Sequence, residues 1–135
     1  MRRWWGALVA CLVLAPVPTR AEDMARLELN TVENANNRCS LTFLIENKTD
    51  RGIDSLKLDL ALFNLESVIQ RRMVTEMGPV RAQRTNVRTF ATDGDCGQIG
   101  AILVNDVTAC APLEPTACLD GLALSSRVKT IKLYK

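Results

Sequence analysis

Four groups of side chains in this 135-residue chain have the types and spacing to do chemistry. They are five cysteines, the carboxylates of Asp93, Asp95 and Asp106, the hydroxyls of Ser125 and Ser126 near Lys129 and Lys132, and the arginines Arg71, Arg72, Arg81, Arg84 and Arg88. No histidine is present, which removes Ser-His-Asp triads, Cys-His dyads and histidine-held metals. The cysteines form no C-x-x-C pair, so disulfides account for them better than zinc.

Asp93-Gly94-Asp95 could hold calcium or divide acid and base roles, with Asp106 beyond the next strand. The spacing does not fit a calcium loop, and Asp-Gly is ordinary turn chemistry. A Ser-Lys pair needs a lysine brought to Ser125 or Ser126 by the fold. The five arginines concentrate positive charge on two neighbouring strands. They would meet an acidic partner, anionic lipid headgroups or a polyanion, or else guard an exposed sheet edge with solvated charge. Asn47-Lys48-Thr49 matches a glycosylation triplet. No catalytic residue, metal or cofactor is expected.

The compartment comes from the N-terminus. Met1-Arg2-Arg3 is cationic, residues 4–17 are apolar, and Thr19-Arg20-Ala21 offers a cleavage site, so residues 1–21 read as a signal peptide and 22–135 as one domain. The apolar run is shorter than the roughly 20 residues of a spanning helix and holds two prolines. Arg2-Arg3 has part of a twin-arginine pattern, and Leu8-Val9-Ala10-Cys11 part of a lipobox, the minority route to a lipoprotein through Cys11. Losing Arg2, Arg3 and Arg20 leaves 14 basic residues against 15 acidic ones, a net charge of −1. Nucleic-acid binding then has no electrostatic basis. Four cysteines remain, an even number suited to an oxidising compartment.

The elements that must position these residues are strands. Residues 38–46 alternate Cys39, Leu41, Phe43 and Ile45 against polar neighbours, and 53–63 alternate Leu56, Leu58, Leu60 and Leu62. Further strands are expected over 24–31, 67–74 (amphipathic and near an edge), 83–90, 99–104 and 122–134 (with an irregularity around Ser125-Ser126), with a polar turn at 33–37 and a bulge or the strand's end where Phe90 falls on the arginine side of its strand. At most one helical turn is expected between 108 and 120. Seven strands with turns between them predict an all-β, antiparallel, immunoglobulin-like sandwich.

That topology tests the cysteine pairing. Cys39 and Cys96 begin strands that run in the same direction in opposite sheets, so they lie near one another. Cys110 is a strand's length from Cys96 at about 3.3 Å per residue, beyond the roughly 7 Å that bridged Cα atoms allow. Cys39–Cys96 and Cys110–Cys118 follow.

The segment from Glu46 to Asn64, with Val68-Ile69 and Met77-Gly78-Pro79-Val80 after it, resembles the FxLYD-type immunoglobulin-like domains of bacterial envelope proteins, Phe63-Asn64 standing in the Tyr-Asp place. Cys39-Ser-Leu-Thr-Phe43, Arg88-Thr-Phe90 before Cys96, Ile102-Leu-Val-Asn-Asp106 and the stretch from Cys118 to Arg127 are similar to a group of small exported alphaproteobacterial proteins, many labelled only by a twin-arginine signal. Both resemblances imply an exported β domain, and neither supplies a substrate or catalytic residue. The function expected is a non-catalytic periplasmic accessory or interaction domain with an envelope protein as partner. It would make contact through a sheet edge or the basic face, with a membrane surface as a further possible contact. The alternatives are a small-ligand or anion-binding domain using Arg71, Arg72, Arg84 and Arg88, and, third, a hydrolase.

Overall fold

The computed structural model describes residues 11–17 and 23–135. Most of the leader expected over residues 1–21, including Arg2-Arg3 and the cleavage site at Thr19-Arg20-Ala21, lies outside the described residues. Residues 11–17 are exposed and without regular secondary structure, and Cys11 is a free cysteine. No helix among the described residues is long and apolar enough to cross a membrane.

Residues 23–135 form an all-β sandwich of two four-stranded sheets. The first sheet has the order β5-β2-β1-β7, built from β1 (Ala25–Ala35), β2 (Arg38–Asn47), β5 (Thr85–Asp93) and β7 (Leu122–Ser126). The second has the order β4-β3-β6-β8, from β3 (Lys57–Asn64), β4 (Ile69–Glu76), β6 (Ile99–Ala109) and β8 (Lys132–Tyr134).

The alternation in β2 does what period two requires: Cys39, Leu41, Phe43, Ile45 and Asn47 are buried and the residues between them are not. Leu27 and Leu29 from β1 join them, and Leu58, Leu60 and Leu62 from β3 with Ile102 and Val104 from β6 close the core from the other sheet. Each fully buried Leu or Phe in this layer contributes about 1.5–3 kcal/mol relative to exposure.

The expected polar turn at 33–37 shrinks to two residues. β1 continues to Ala35, and Asn36 and Asn37 both adopt positive φ (51° and 58°), the conformation of a tight two-residue hairpin whose twist matches its strands. Ile53 does not begin β3; it makes an isolated bridge to Val80, and β3 starts at Lys57.

The seventh expected strand is two. The chain leaves the first sheet after Ser126, turns through Val128 and Ile131, and re-enters the second sheet at Lys132. Eight strands result, and the sheets are mixed rather than antiparallel throughout, because β7 runs parallel to β1 and β8 parallel to β6. By switching sheets at this corner, one short segment pairs with the otherwise free sides of β1 and β6.

Neither a bulge nor the strand's end falls at Phe90: β5 continues to Asp93 and pairs with β2 in unbroken register from Arg38↔Asp93 to Glu46↔Thr85. The inward side of β5 is the arginine side, carrying Asn86, Arg88, Phe90 and Thr92, while Val87 faces out. Phe90 packs on Phe43 with ring centroids 6.2 Å apart, a separation suited to tilted aromatic pairs.

The two disulfides pair Cys39 with Cys96 and Cys110 with Cys118, at Cα separations of 5.0 and 6.5 Å. They are the bonds of a chain that folds in an oxidising environment. The second closes a loop over α1 (Pro115–Asp120), a turn and a half of helix with proline in its first turn, where the missing N–H costs no hydrogen bond. Lys135 Nζ donates to the carbonyls of Leu119, Asp120 and Leu122, satisfying the end of that helix.

Candidate functional site

The five arginines do not share one face. In the β3–β4 ladder Arg71 pairs with inward-facing Leu62 and Arg72 with outward-facing Ala61, so the two project to opposite sides of the second sheet. Arg71 Nη1 reaches across the open side of the sandwich to Asp93 Oδ2 at 3.3 Å, and Arg38 Nε takes Asp93 Oδ1 at 3.2 Å. These are exposed pairs worth at most about 1 kcal/mol each. Arg88 points inward, and its Nη2 donates to the carbonyls of Gly78 at 3.3 Å and Pro79 at 3.4 Å, fixing the turn before β5. Arg81 and Arg84 remain, side by side on the loop between β4 and β5 and both exposed.

Arg72 is bound to Asp59, which sits on the outer side of β3 and is nonetheless buried. Asn105 Nδ2 also donates to Asp59 Oδ2, at 2.8 Å. That hydrogen bond from Asn105, and then Arg72, hold the Asp59 carboxyl below its ordinary value against the opposing effect of burial. Because the folded pKa is depressed, the stabilisation is present above the unfolded carboxylate range and is lost as pH falls through the folded value. Wild type is therefore expected to be more stable than Asp59→Asn at pH 7, by an amount that shrinks as pH drops below about 4. Urea midpoints measured across pH 2–7 check this, and a difference independent of pH would contradict it.

Asp93 and Asp95 line one cleft of about 350 Å³ at the end of the sandwich, with Gln70, Arg71, Gln98 and a floor of Leu62, Thr92 and Ile99. Both carboxylates have local work there. Asp93 is divided between two arginines, and Asp95 Oδ1 accepts from Gly97 N at 2.6 Å, capping the short 3-10 turn Cys96–Gln98. Asp106 lies near the far end of β6, its carboxylate accepting from Val107 N. Among the described residues no three Cys, Asp or Glu side chains converge as metal ligands do.

Among the described residues neither hydroxyl candidate is hydrogen-bonded to Lys129 or Lys132. Ser126 Oγ donates to Val128 O at 3.0 Å. Ser125 lies beside Glu28 of β1 in the first sheet, whereas Lys132 belongs to β8 in the second, where its Nζ lies 4.7 Å from the Tyr134 ring centroid. Asn47 of the glycosylation triplet is fully buried and hydrogen-bonded, a structural residue of the β2 end.

The surface feature that alternation alone did not expose is apolar. Among the described residues after 17, the exposed large apolar side chains are Leu65 (67%), Val68 (59%), Ile69 (52%), Val74 (63%) and Val87 (59%), and the first four lie within residues 65–74, the tip and outer strand of the β3–β4 hairpin. The ladders place half-buried apolar residues beside it on the outer face of the second sheet, where Ile69 neighbours Phe63, Phe63 neighbours Ala101, and the buried Ala61 neighbours Leu103 and then Tyr134. The available sequence signal was the parity of Val68 and Val74 with Arg72, the reverse of what an amphipathic edge strand shows.

No protein-family model matches the chain, and no curated protein matches it. Among solved structures, IrmA from Escherichia coli is similar, with a TM-score of 0.55 at 14% identity over 77% of this chain and 91% of IrmA. At that identity the similarity shows a shared fold and nothing of activity.

Proposed function

We propose that the protein is a non-catalytic, exported interaction domain that docks another envelope protein through the β3–β4 hairpin and the outer face of the second sheet. The observation that carries this reading is the gathering of Leu65, Val68, Ile69 and Val74 on one hairpin. A contiguous exposed apolar patch rimmed by polar groups marks a protein contact more often than a monomer surface. Arg72, paired with Asp59, crosses the apolar surface between Ile69 and Val74, and Lys132 borders it beside Ala101. The signal-peptide reading of the leader and the disulfides favour export, with the periplasm as the compartment. The engagement of Asp93 by two arginines and of Asp106 by Val107 N favours binding over hydrolysis.

Affinity capture from crosslinked envelope fractions tests the reading with a triple variant, Val68→Ser, Ile69→Ser and Val74→Ser. Val87→Ser, an exposed apolar residue on the other sheet, is the control. A partner held by wild type and V87S and released by the folded triple variant is the expected result. Equal recovery with all three proteins, or no specific partner with any, sinks the hairpin as the contact.

A further inference from the structure

We infer that the turn at residues 81–84 is an oxyanion site built for the phosphate end of a phosphomonoester. It lies on a different surface from the hairpin and does not depend on that reading. Arg84 N donates to Arg81 O at 3.2 Å, closing a four-residue turn, and Gln83 takes φ 57° at its third position. The two arginines are thus held at the first and last places of a tight turn, with Cα atoms under about 7 Å apart.

The support beneath them is fixed from several sides. Gln83 Nε2 donates to Lys48 O at 2.8 Å and Thr49 O at 3.1 Å. Arg84 O accepts from Asn47 N at 2.9 Å, and Asn86 Nδ2 donates to Pro79 O at 2.7 Å. Pro79, Arg81, Arg84, Thr85 and Asn86 enclose an open hollow of about 440 Å³, and no carboxylate lines it.

The charge there is unanswered within the fold. The ion pairs among the described residues join Arg26 to Glu46, Arg38 and Arg71 to Asp93, and Arg72 to Asp59, and neither Arg81 nor Arg84 takes part. Glu46, across the ladder from Thr85, is engaged by Arg26. On the adjoining loop Lys48 and Arg51 outnumber Asp50. Two guanidiniums carried on one tight turn repel one another until an anion lies between them, and each offers a planar fork that matches an oxyanion. A carboxylate occupies one fork. A phosphate dianion has the charge and the oxygens to occupy both, with the Thr85 hydroxyl as a further donor.

Titration calorimetry at low ionic strength with inorganic phosphate and with glycerol 3-phosphate tests the site. Wild type and a charge-matched control, Arg127→Ser with Lys129→Ser, are expected to bind saturably at one site, and Arg81→Ser with Arg84→Ser to bind about tenfold more weakly or not at all, as loss of two charge-assisted contacts requires. Arg81→Lys with Arg84→Lys keeps the charge and loses the forks, and is expected to fall between them. Flotation with vesicles containing phosphatidic acid identifies the source: binding that glycerol 3-phosphate displaces points to a lipid headgroup, and binding of the soluble ester alone points to a free metabolite. Equal weakening in both serine variants, absence of saturation with wild type, or vesicle binding that the soluble ester does not displace would overturn the proposal.

Discussion

Replacing Cys39 and Cys96 together by alanine is expected to remove roughly 4 kcal/mol of stability, on the loop-entropy account of a cross-link. The bridge spans 57 residues and ties the start of β2 in one sheet to the residue that opens the short turn before β6 in the other. Cutting it releases β3, β4 and β5 from a closed loop in the unfolded chain, so the loss is mainly one of unfolded-state entropy. Cys39 is fully buried, and the small cavities left by two sulfurs add to the loss. A domain of this size has about 5–15 kcal/mol in all, and the variant should unfold at a far lower urea concentration than wild type. The matching change at Cys110 and Cys118, separated by eight residues, is expected to cost about 2.5 kcal/mol. Urea unfolding of both variants decides the point, and a larger loss from the shorter loop would contradict this account.

Asn47→Ala is expected to cost about 3 kcal/mol, because it strips partners from several polar groups in a dry setting. Asn47 Nδ2 donates to Arg51 O at 2.7 Å and Val80 O at 3.1 Å, and Oδ1 accepts from Thr49 N at 2.9 Å and Thr49 Oγ1 at 2.7 Å. One amide thus fastens the end of β2, the loop after it and the strand-like segment at Val80. Asn47→Asp has the same shape yet loses both donors and places a carboxylate against two carbonyls, so it should be at least as damaging as alanine. Thr49→Ala leaves the amide in place and should cost about 1 kcal/mol. The order of the three unfolding midpoints is the measurement. An Asn47→Asp variant as stable as wild type would show that the two carbonyls find other donors.

The sandwich and its disulfides were legible because each rests on a strong local rule. Alternation in β2 fixes which face is buried, although β3 buries Asp59 and Ala61 on its outer side too, and the sandwich topology that follows from seven strands leaves Cys96 near Cys39 and far from Cys110. Phe90 shows the rule misapplied: its parity with Arg88 was correct, and what failed was the assumption that arginine must face solvent. Arg88 turns inward at the rim, where two backbone carbonyls hold its guanidinium. The break between β7 and β8 was foreshadowed at Ser125-Ser126, but its parallel partners depend on where β1 and β6 lie, which no local pattern carries. The arginine set divided for the same reason. Counting basic residues along two strands says nothing of the pleat that sends Arg71 and Arg72 to opposite faces, nor of Asp59 and Asp93, which meet them from distant positions in the chain. Only Arg81 and Arg84 keep the character that composition suggested.

The parallel pairing of β7 with β1 joins Ala25–Leu29 to Leu122–Ser126, nearly opposite ends of the domain. For a chain that emerges in order from its N-terminus, β1 can pair with β2 early but keeps one side unfilled until the final segment arrives, and β8 completes the second sheet later still. Such long-range closure is slow because the loop must be ordered before its contacts reward it. Protection against protease should consequently appear as a late, single event, timed by the arrival of residues 122–134 rather than by formation of the first hairpin.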